Sequence, residues 1–252
     1  MSMYRPSRRK HFGSGNLQNY QSRLEGRYLP YAIQNYPLSI KNKNGVKIND
    51  SVIPKKNVTL TQFEADNIIK SYDEFAESVL GEDYKKISNT RYEGEKGFID
   101  FFGDKFDINI EYDGNLPAKK DSIEKLFQEF NLKITDFEYR EGTIYKKSGK
   151  YDIYDCNINL KKEHDILKIS GVWYEKNSNK IFNDDGIKPI TSALIDFLSD
   201  PLKPQGQCEI INIKLGYMVY ETTSYHKSIV PMPVWEFELS NNKKVYISAR
   251  AN

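Results

Sequence analysis

The sequence predicts an α+β protein made of successive αβββ units, each an antiparallel sheet packed against a single helix. Three observations carry that reading. Amphipathic helical stretches begin near residues 59, 121 and 190, each is followed by short turn-bounded runs of alternating apolar residues, and the spacing of roughly 60–70 residues suits whole small α+β units rather than solenoid repeats.

Residues 1–26 are polar and aperiodic and read as a flexible leader, native or foreign. Residues 27–58, punctuated by Pro and Asn, form an irregular or short-hairpin opening. Within it Asn44-Gly45 turns between Leu38-Ser39-Ile40 and Val46-Lys47-Ile48. The first unit, 59–118, starts where Thr59 and Gln62 make a capping-box spacing. Leu60, Phe63, Ile68, Ile69, Tyr72, Phe75, Ala76 and Val79 then recur at helical spacing until Gly81. Strands are expected over 84–92, 98–102 and 106–112, the last alternating Phe106, Ile108, Ile110 and Tyr112 against Asp107, Asn109 and Glu111.

The second unit, 119–186, repeats the order. Asp121 with Glu124 caps a helix carrying Ile123, Leu126, Phe127 and Phe130, and strands follow over 133–140, 151–160 and 166–174. In the middle strand Tyr154, Cys156, Ile158 and Leu160 face one way, and Ile153, Asp155, Asn157 and Asn159 the other. The third unit, 187–252, has Pro189 in the first helical turn. Ala193, Leu194, Phe197 and Leu198 share one face before Asp200-Pro201 stops the helix. Its strands are an alternating run of Ile211, Ile213, Leu215, Tyr217 and Val219, then 234–239, then an Asn241-Asn242 turn into 243–249.

Composition narrows the function. With 37 Lys and Arg against 35 Asp and Glu, the formal charge is +2, so no whole-molecule field gathers nucleic acid or anionic membrane. The 18 Tyr and 13 Phe fall mainly at alternating strand positions, where core packing and cross-strand pairing account for them. Cys156 and Cys208 are too few for a disulfide framework or a Cys-based metal site and read as buried apolar residues, with a single bridge between them left open. No stretch approaches the roughly 18–20 apolar residues that span a bilayer. Arg8-Arg9-Lys10 lacks the apolar run of a signal peptide.

Candidate chemistry is sparse. His11, His164 and His226 are scattered, with no pair at metal-ligand spacing. Asp184-Asp185-Gly186 and the acidic run 104–113 lack the spacing of a calcium loop. Glu163 with Asp165 is a carboxylate pair that no apolar pocket distinguishes, and there is neither a glycine-rich phosphate loop nor a nucleophile elbow. Lys161-Lys162 and Lys243-Lys244 read as turn or edge charges. The expectation is a protein that is not an enzyme, with no catalytic, cofactor-binding or metal-binding residue. Gly216 suggests a bulge or close backbone approach, and Pro231 and Pro233 a strand start or sheet edge. Trp235 is expected to plug the core between helix and sheet, with a partner surface as its other reading.

Four stretches carry a family resemblance: the helix over 190–198, Glu209-Ile-Ile-Asn-Ile-Lys-Leu-Gly-Tyr217, Val230-Pro-Met-Pro-Val-Trp-Glu236 and Val245-Tyr-Ile-Ser-Ala249. Together they resemble the YycI/YycH family of extracytoplasmic regulators of Gram-positive bacteria, with weaker likeness at Leu29-Pro30 and 45–54. The resemblance implies a non-enzymatic protein held outside the cell membrane by an N-terminal anchor helix. It would modulate a membrane sensor histidine kinase of cell-wall metabolism by protein–protein contact, beside a YycH-like companion. The polar residues 1–26 stand where that family places its anchor, which fits an ectodomain with a foreign leader or a soluble relative. No residue is assigned to the partner-binding face. From the residues alone, a peptide-binding or inhibitor-type module is the alternative, and a small-molecule enzyme on a concave sheet face is the third reading.

Overall fold

A computed structural model describes residues 45–54, 60–182, 186–200, 208–220 and 228–250. In chain order the first elements are β1 (Val46–Ile48), a 3-10 turn (Asp50–Val52), β2 (Gln62–Asn67) and α1 (Tyr72–Leu80). Then come β3 (Lys85–Lys86), β4 (Arg91–Gly94), β5 (Gly97–Phe102), β6 (Lys105–Glu111) and α2 (Lys120–Glu129). The middle of the chain supplies β7 (Phe137–Arg140), β8 (Thr143–Ser148), β9 (Tyr151–Glu163), β10 (Ile166–Val172) and β11 (Tyr174–Phe182). Last are α3 (Ile190–Ser199), β12 (Cys208–Met218), β13 (Met232–Leu239) and β14 (Lys244–Ser248).

The result is an α+β fold dominated by sheet. Twelve strands join in one sheet, and β2 and β11 form a separate antiparallel ribbon. One leaf of the large sheet is antiparallel and runs β7-β8-β9-β10-β6-β5-β4-β3. The other leaf is β12-β13-β14, with β1 parallel to β12 through Val46↔Cys208. The strands that follow α1 and α2 therefore share a sheet, through pairing of β6 with β10.

Period-2 alternation decides which side of the first leaf is dry. On β5 and β6, Ile99, Phe101, Phe106 and Ile108 are buried, while Phe98, Asp100, Asp107 and Asn109 are half-exposed. The dry face is covered by α1, whose Phe75 meets Phe101 and Phe106 with ring centroids 5.7 and 5.3 Å apart, while Tyr72 stacks on Phe101 at 4.2 Å. Such aromatic pairs add about 0.5–1.5 kcal/mol each beyond their buried area. The second leaf uses α3 in the same way, with Phe197 stacked on Phe237 at 5.0 Å. Trp235 is buried there as expected, its indole N–H donating to the Lys188 carbonyl at 3.0 Å.

The first helix is shorter than expected. Residues 62–67 form β2 instead, because Phe63, Ala65 and Asn67 are buried at strand spacing and pair with β11. The Asn67 side chain then accepts from the Ile69 N–H at 2.6 Å, which breaks the strand, and Ser71 caps α1 by accepting from Glu74 N–H at 3.1 Å. Ser71 and Glu74 thus hold the capping-box spacing read at Thr59 and Gln62; Thr59 lies outside the described residues. In the second helix Asp121 and Glu124 do not cap. The cap falls two residues earlier, at Lys119 with no side-chain bond, and Asp121 sits in the first turn, where the helix dipole favours a carboxylate.

Further differences follow from single residues. The expected strand 84–92 is split into β3 and β4, and 133–140 keeps only β7. β8 is unanticipated: its inner positions are Ile144 and Lys146, and a lysine on a dry face hides the alternation. Lys146 is 1% exposed and donates to Glu175 at 2.6 Å and to the Thr135 carbonyl at 2.8 Å. Strand pairing is interrupted at Trp173, and β11 leaves the large sheet to pair with β2. In β12 a bulge after Ile210 leaves Ile211 43% exposed and puts Ile210 in the core, against the expected register. Asn44 and residues 38–40 of the expected opening hairpin lie outside the described residues; β1 pairs with β12 instead.

Candidate contact surface

β9 belongs to both leaves, and the site grows from that fact. Its residues 153–154 pair in parallel with Tyr217 and Met218 of β12, and its residues 158–163 pair with β10. Between the two partners lie Asp155, Cys156 and Asn157. Asp155 takes φ 58, a left-handed conformation uncommon for a non-glycine residue, at the point where the strand changes partner. Opposite, β8 is out of register between Tyr145 and Lys147, so β9 bulges here. The expected alternation holds from Cys156 to Leu160, but Ile153 is buried against it because of that bulge.

Cys156 turns inward and accepts the Tyr174 backbone N–H at 3.3 Å, and burial pushes its thiol pKa up to about 12. Cys156 and Cys208 are both buried, and no disulfide joins them to each other.

Where β10 and β12 diverge from β9 a crevice of about 900 Å³ opens between the leaves. Asp155, Asn157 and Gly171 lie at the fork, Asp104 and Tyr174 on one wall, Lys244 and Tyr246 on the other. Gly171 is required by packing: a Cβ there would sit 2.1 Å from the Asn157 carbonyl oxygen. Phe102 and Tyr220 also line the crevice, and at 65% and 55% they are the two most exposed large apolar side chains among the described residues.

The wall carrying Phe102 is rigid. Phe102 precedes the Gly103-Asp104 turn of the β5–β6 hairpin, with Gly103 at φ 67. Three side chains fix that turn: Tyr72 donates to the Gly103 carbonyl at 3.0 Å, Asn67 to the Asp104 carbonyl at 3.4 Å and Tyr174 to the Asp104 carboxylate at 2.8 Å. On the opposite wall Glu236 is 1% exposed and accepts from Lys244 at 3.1 Å and Tyr246 at 3.0 Å. Tyr154 lies behind, its ring 4.8 Å from that of Tyr246 and over Gly216, where a Cβ would come 2.7 Å from the ring. This is the close approach expected at Gly216. Burial raises the pKa values of Tyr154, Tyr174 and Tyr246, with Glu236 adding to the first and third and Asp104 to the second. These phenols are therefore neutral through the physiological range, and those of Tyr174 and Tyr246 donate to carboxylates.

The crevice continues onto an open sheet face. Asp100, Asp107, Ser170, Asn159 and Thr143 stand directly opposite one another across β5, β6, β10, β9 and β8. All five are half-exposed or exposed, on the side away from α1. At the far end Phe98, Asn109, Lys168 and His164 line a second, shallower depression of about 690 Å³.

The residues weighed for chemistry are not brought together. His164 is at the tip of the β9–β10 hairpin with φ 55; His11, His226, Asp184 and Asp185 lie outside the described residues. Hydrogen bonds from Lys161 and Lys168 hold the Glu163 carboxyl down to about 2, so it acts as an ion-pair partner rather than a proton donor. Among the described residues no group of three or more His, Cys, Asp or Glu is placed to hold a metal ion. None of their helices is long and apolar enough to cross a membrane. Pro233 is the second residue of β13 and Pro231 just precedes it, matching a strand start.

The sequence carries a signal for the exposure of Phe102. Asp100 lies between Phe98 and Phe102 at period 2, which assigns all three to a wet face. Tyr220 follows the end of β12 and has no such signal.

No protein-family model and no curated protein matches the chain. Among solved structures it is similar to an uncharacterized protein from Eubacterium rectale ATCC 33656, at 10% identity and TM-score 0.41, over 82% of this chain and 88% of that one. At those values the likeness bears on neither family nor function.

Proposed function

We propose that this chain is a non-enzymatic regulatory protein that works by surface contact. In this reading it is a YycI-like extracytoplasmic protein, attached to the cell membrane in its native setting, that modulates a sensor histidine kinase of cell-wall metabolism beside a YycH-like companion. Of the expected αβββ units, the third keeps that order as α3, β12, β13, β14. The observation that supports contact as the mode of action is the uncovered sheet face leading into a crevice with two exposed rings at its mouth. The YycI-like segments noted above are what support the choice of partner.

Contact changes signalling only through unequal affinity for two kinase states. A coupling of about 1–3 kcal/mol corresponds to roughly 5–150-fold. The test is reconstitution of the kinase in vesicles, with autophosphorylation followed as the chain is added on the extracytoplasmic side. A saturable change in rate, with binding to the isolated kinase ectodomain by calorimetry, is expected. No binding and no change in rate would overturn the proposal. A second reading, a peptide-binding module, is favoured specifically by the crevice and its two rings.

A further inference from the structure

We propose that the crevice between the leaves, with the polar row that continues it, binds an uncharged, extended glycan: a linear chain of flat, β-1,4-linked pyranose rings. The inference goes beyond the contact reading and does not rest on the kinase as partner.

The crevice and the row form one surface. Phe102, Val172 and Asn157 line the crevice and stand two residues from Asp100, Ser170 and Asn159 on β5, β10 and β9, so all six side chains share a sheet face. Among the described residues the side chains of Asp155, Asn157 and Ser170 make no hydrogen bond, and the Asn159 amide uses only its oxygen, which accepts from Thr143 at 2.9 Å. These groups are short and sit on or beside paired strands, so little freedom is lost when they take up a ligand.

Rings beside uncommitted polar groups select a sugar. In a β-1,4-linked pyranose the hydroxyls lie round the rim and C–H groups cover the two faces. The faces stack on aromatic rings, whose π surface is negative, while the rim needs groups that accept and donate hydrogen bonds. Phe102 and Tyr220, exposed at the mouth, supply the first, and Asp155, Asn157, Ser170 and Asn159 supply the second. Phe102 is also held in place, because its turn is pinned by Tyr72, Asn67 and Tyr174.

Topology tells against a peptide strand as the occupant. At the row, each of β5, β6, β10, β9 and β8 is paired on both sides, so no free main-chain edge can take up another strand. The floor offers side chains alone, spaced about 4.7–4.9 Å from strand to strand. One pyranose unit advances a comparable distance along an extended chain, so successive rings meet successive strands. An open trough suits such a chain better than a small enclosed ligand.

Titration calorimetry of the full chain tests this with cellohexaose and chitohexaose, which share the flat β-1,4 backbone and differ in the acetamido group. Maltohexaose, coiled by its α-linkages, is the control for shape. At least one flat hexaose is expected to bind saturably, about tenfold or more tighter than maltohexaose, and with little dependence on salt. Which of the two binds identifies the source of the glycan. Phe102→Ala should weaken binding about tenfold and Asn157→Ala about fivefold, with unchanged thermal melts because neither side chain is buried. No saturable binding of either flat hexaose, equal binding of maltohexaose, or both variants within twofold of the parent would overturn the proposal. Tighter binding of an uncharged Gly-Ser-Leu-Gln-Trp-Ser-Gly peptide than of both glycans would overturn it in favour of the peptide-binding reading. If neither hexaose binds while the chain still alters the kinase rate, the glycan site is wrong and the contact function stands.

Discussion

Phe101 and Phe102 are neighbours on β5, yet one is 2% exposed and the other 65%. The first is clasped by Tyr72 and Phe75 of α1, and the second opens onto the crevice. Their difference extends along β5 and β6: one face is buried beneath α1, and the opposite face is half-exposed. Antiparallel sheets allow this division, since they tolerate water on one side. Stability and recognition can then change independently along the same strand.

The sharpest way to break that division is to truncate one ring from each face. Phe101→Ala is expected to lower the unfolding free energy by about 3–5 kcal/mol, and Phe102→Ala by no more than about 0.5 kcal/mol, in urea denaturation. Similar losses from both would mean that the outer face is structural too. Lys146 then sharpens the account of the covered face, where it is the polar exception. Its ammonium sits 5.2 Å from the centre of the Trp173 ring and donates to Glu175, which also accepts from Trp173 and from the Thr135 N–H, both at 2.7 Å. Lys146→Ala leaves that carboxylate without its counter-charge. A loss of about 3 kcal/mol is expected, the low end for a buried pair because the Glu175 side chain keeps 23% of its exposure. A loss below about 1 kcal/mol would show that Thr135 and Trp173 suffice.

The smallest effect concerns pH. The Cys156 pKa, about 12 in the fold because of burial, lies above the value of about 8.5 for a free thiol. Its contribution is therefore complete below about pH 8.5 and is lost as pH rises toward the folded value. Between about pH 8.5 and 10, below the ordinary tyrosine range, the chain should lose stability with rising pH and Cys156→Ala should be flatter. Parallel pH curves for the two proteins would contradict this.

How much of this was readable beforehand depends on which residues carried the pattern. The α3-β12-β13-β14 order was legible because the apolar face of Ala193, Leu194 and Phe197 and the Asn241-Asn242 turn agree, although Pro189 is the N-cap rather than in the first turn and the start of β12 is out of the expected register. β2 was misread because Phe63, Ile68, Ile69 and Tyr72 fit a helical stripe, and only pairing with β11 decides for a strand. β8 was hidden by a lysine whose compensating partner lies on β11, beyond the reach of local pattern. The crevice was the least legible part. It arises where β9 exchanges β12 for β10, and nothing local to Asp155 announces a left-handed residue within a thirteen-residue strand.

β1 has a consequence for synthesis. It pairs in parallel with β12, and toward the other end of β12 the Tyr217 hydroxyl donates to the Thr61 carbonyl, joining positions 156 residues apart. As the chain emerges from the ribosome, Val46 must wait for Cys208, so the second leaf closes only after residue 208 has been made. The hairpins of β3 to β6 can assemble meanwhile from neighbours in sequence. Maturation is thereby ordered, with a local start and a late long-range clasp whose ring closure is expected to limit the folding rate.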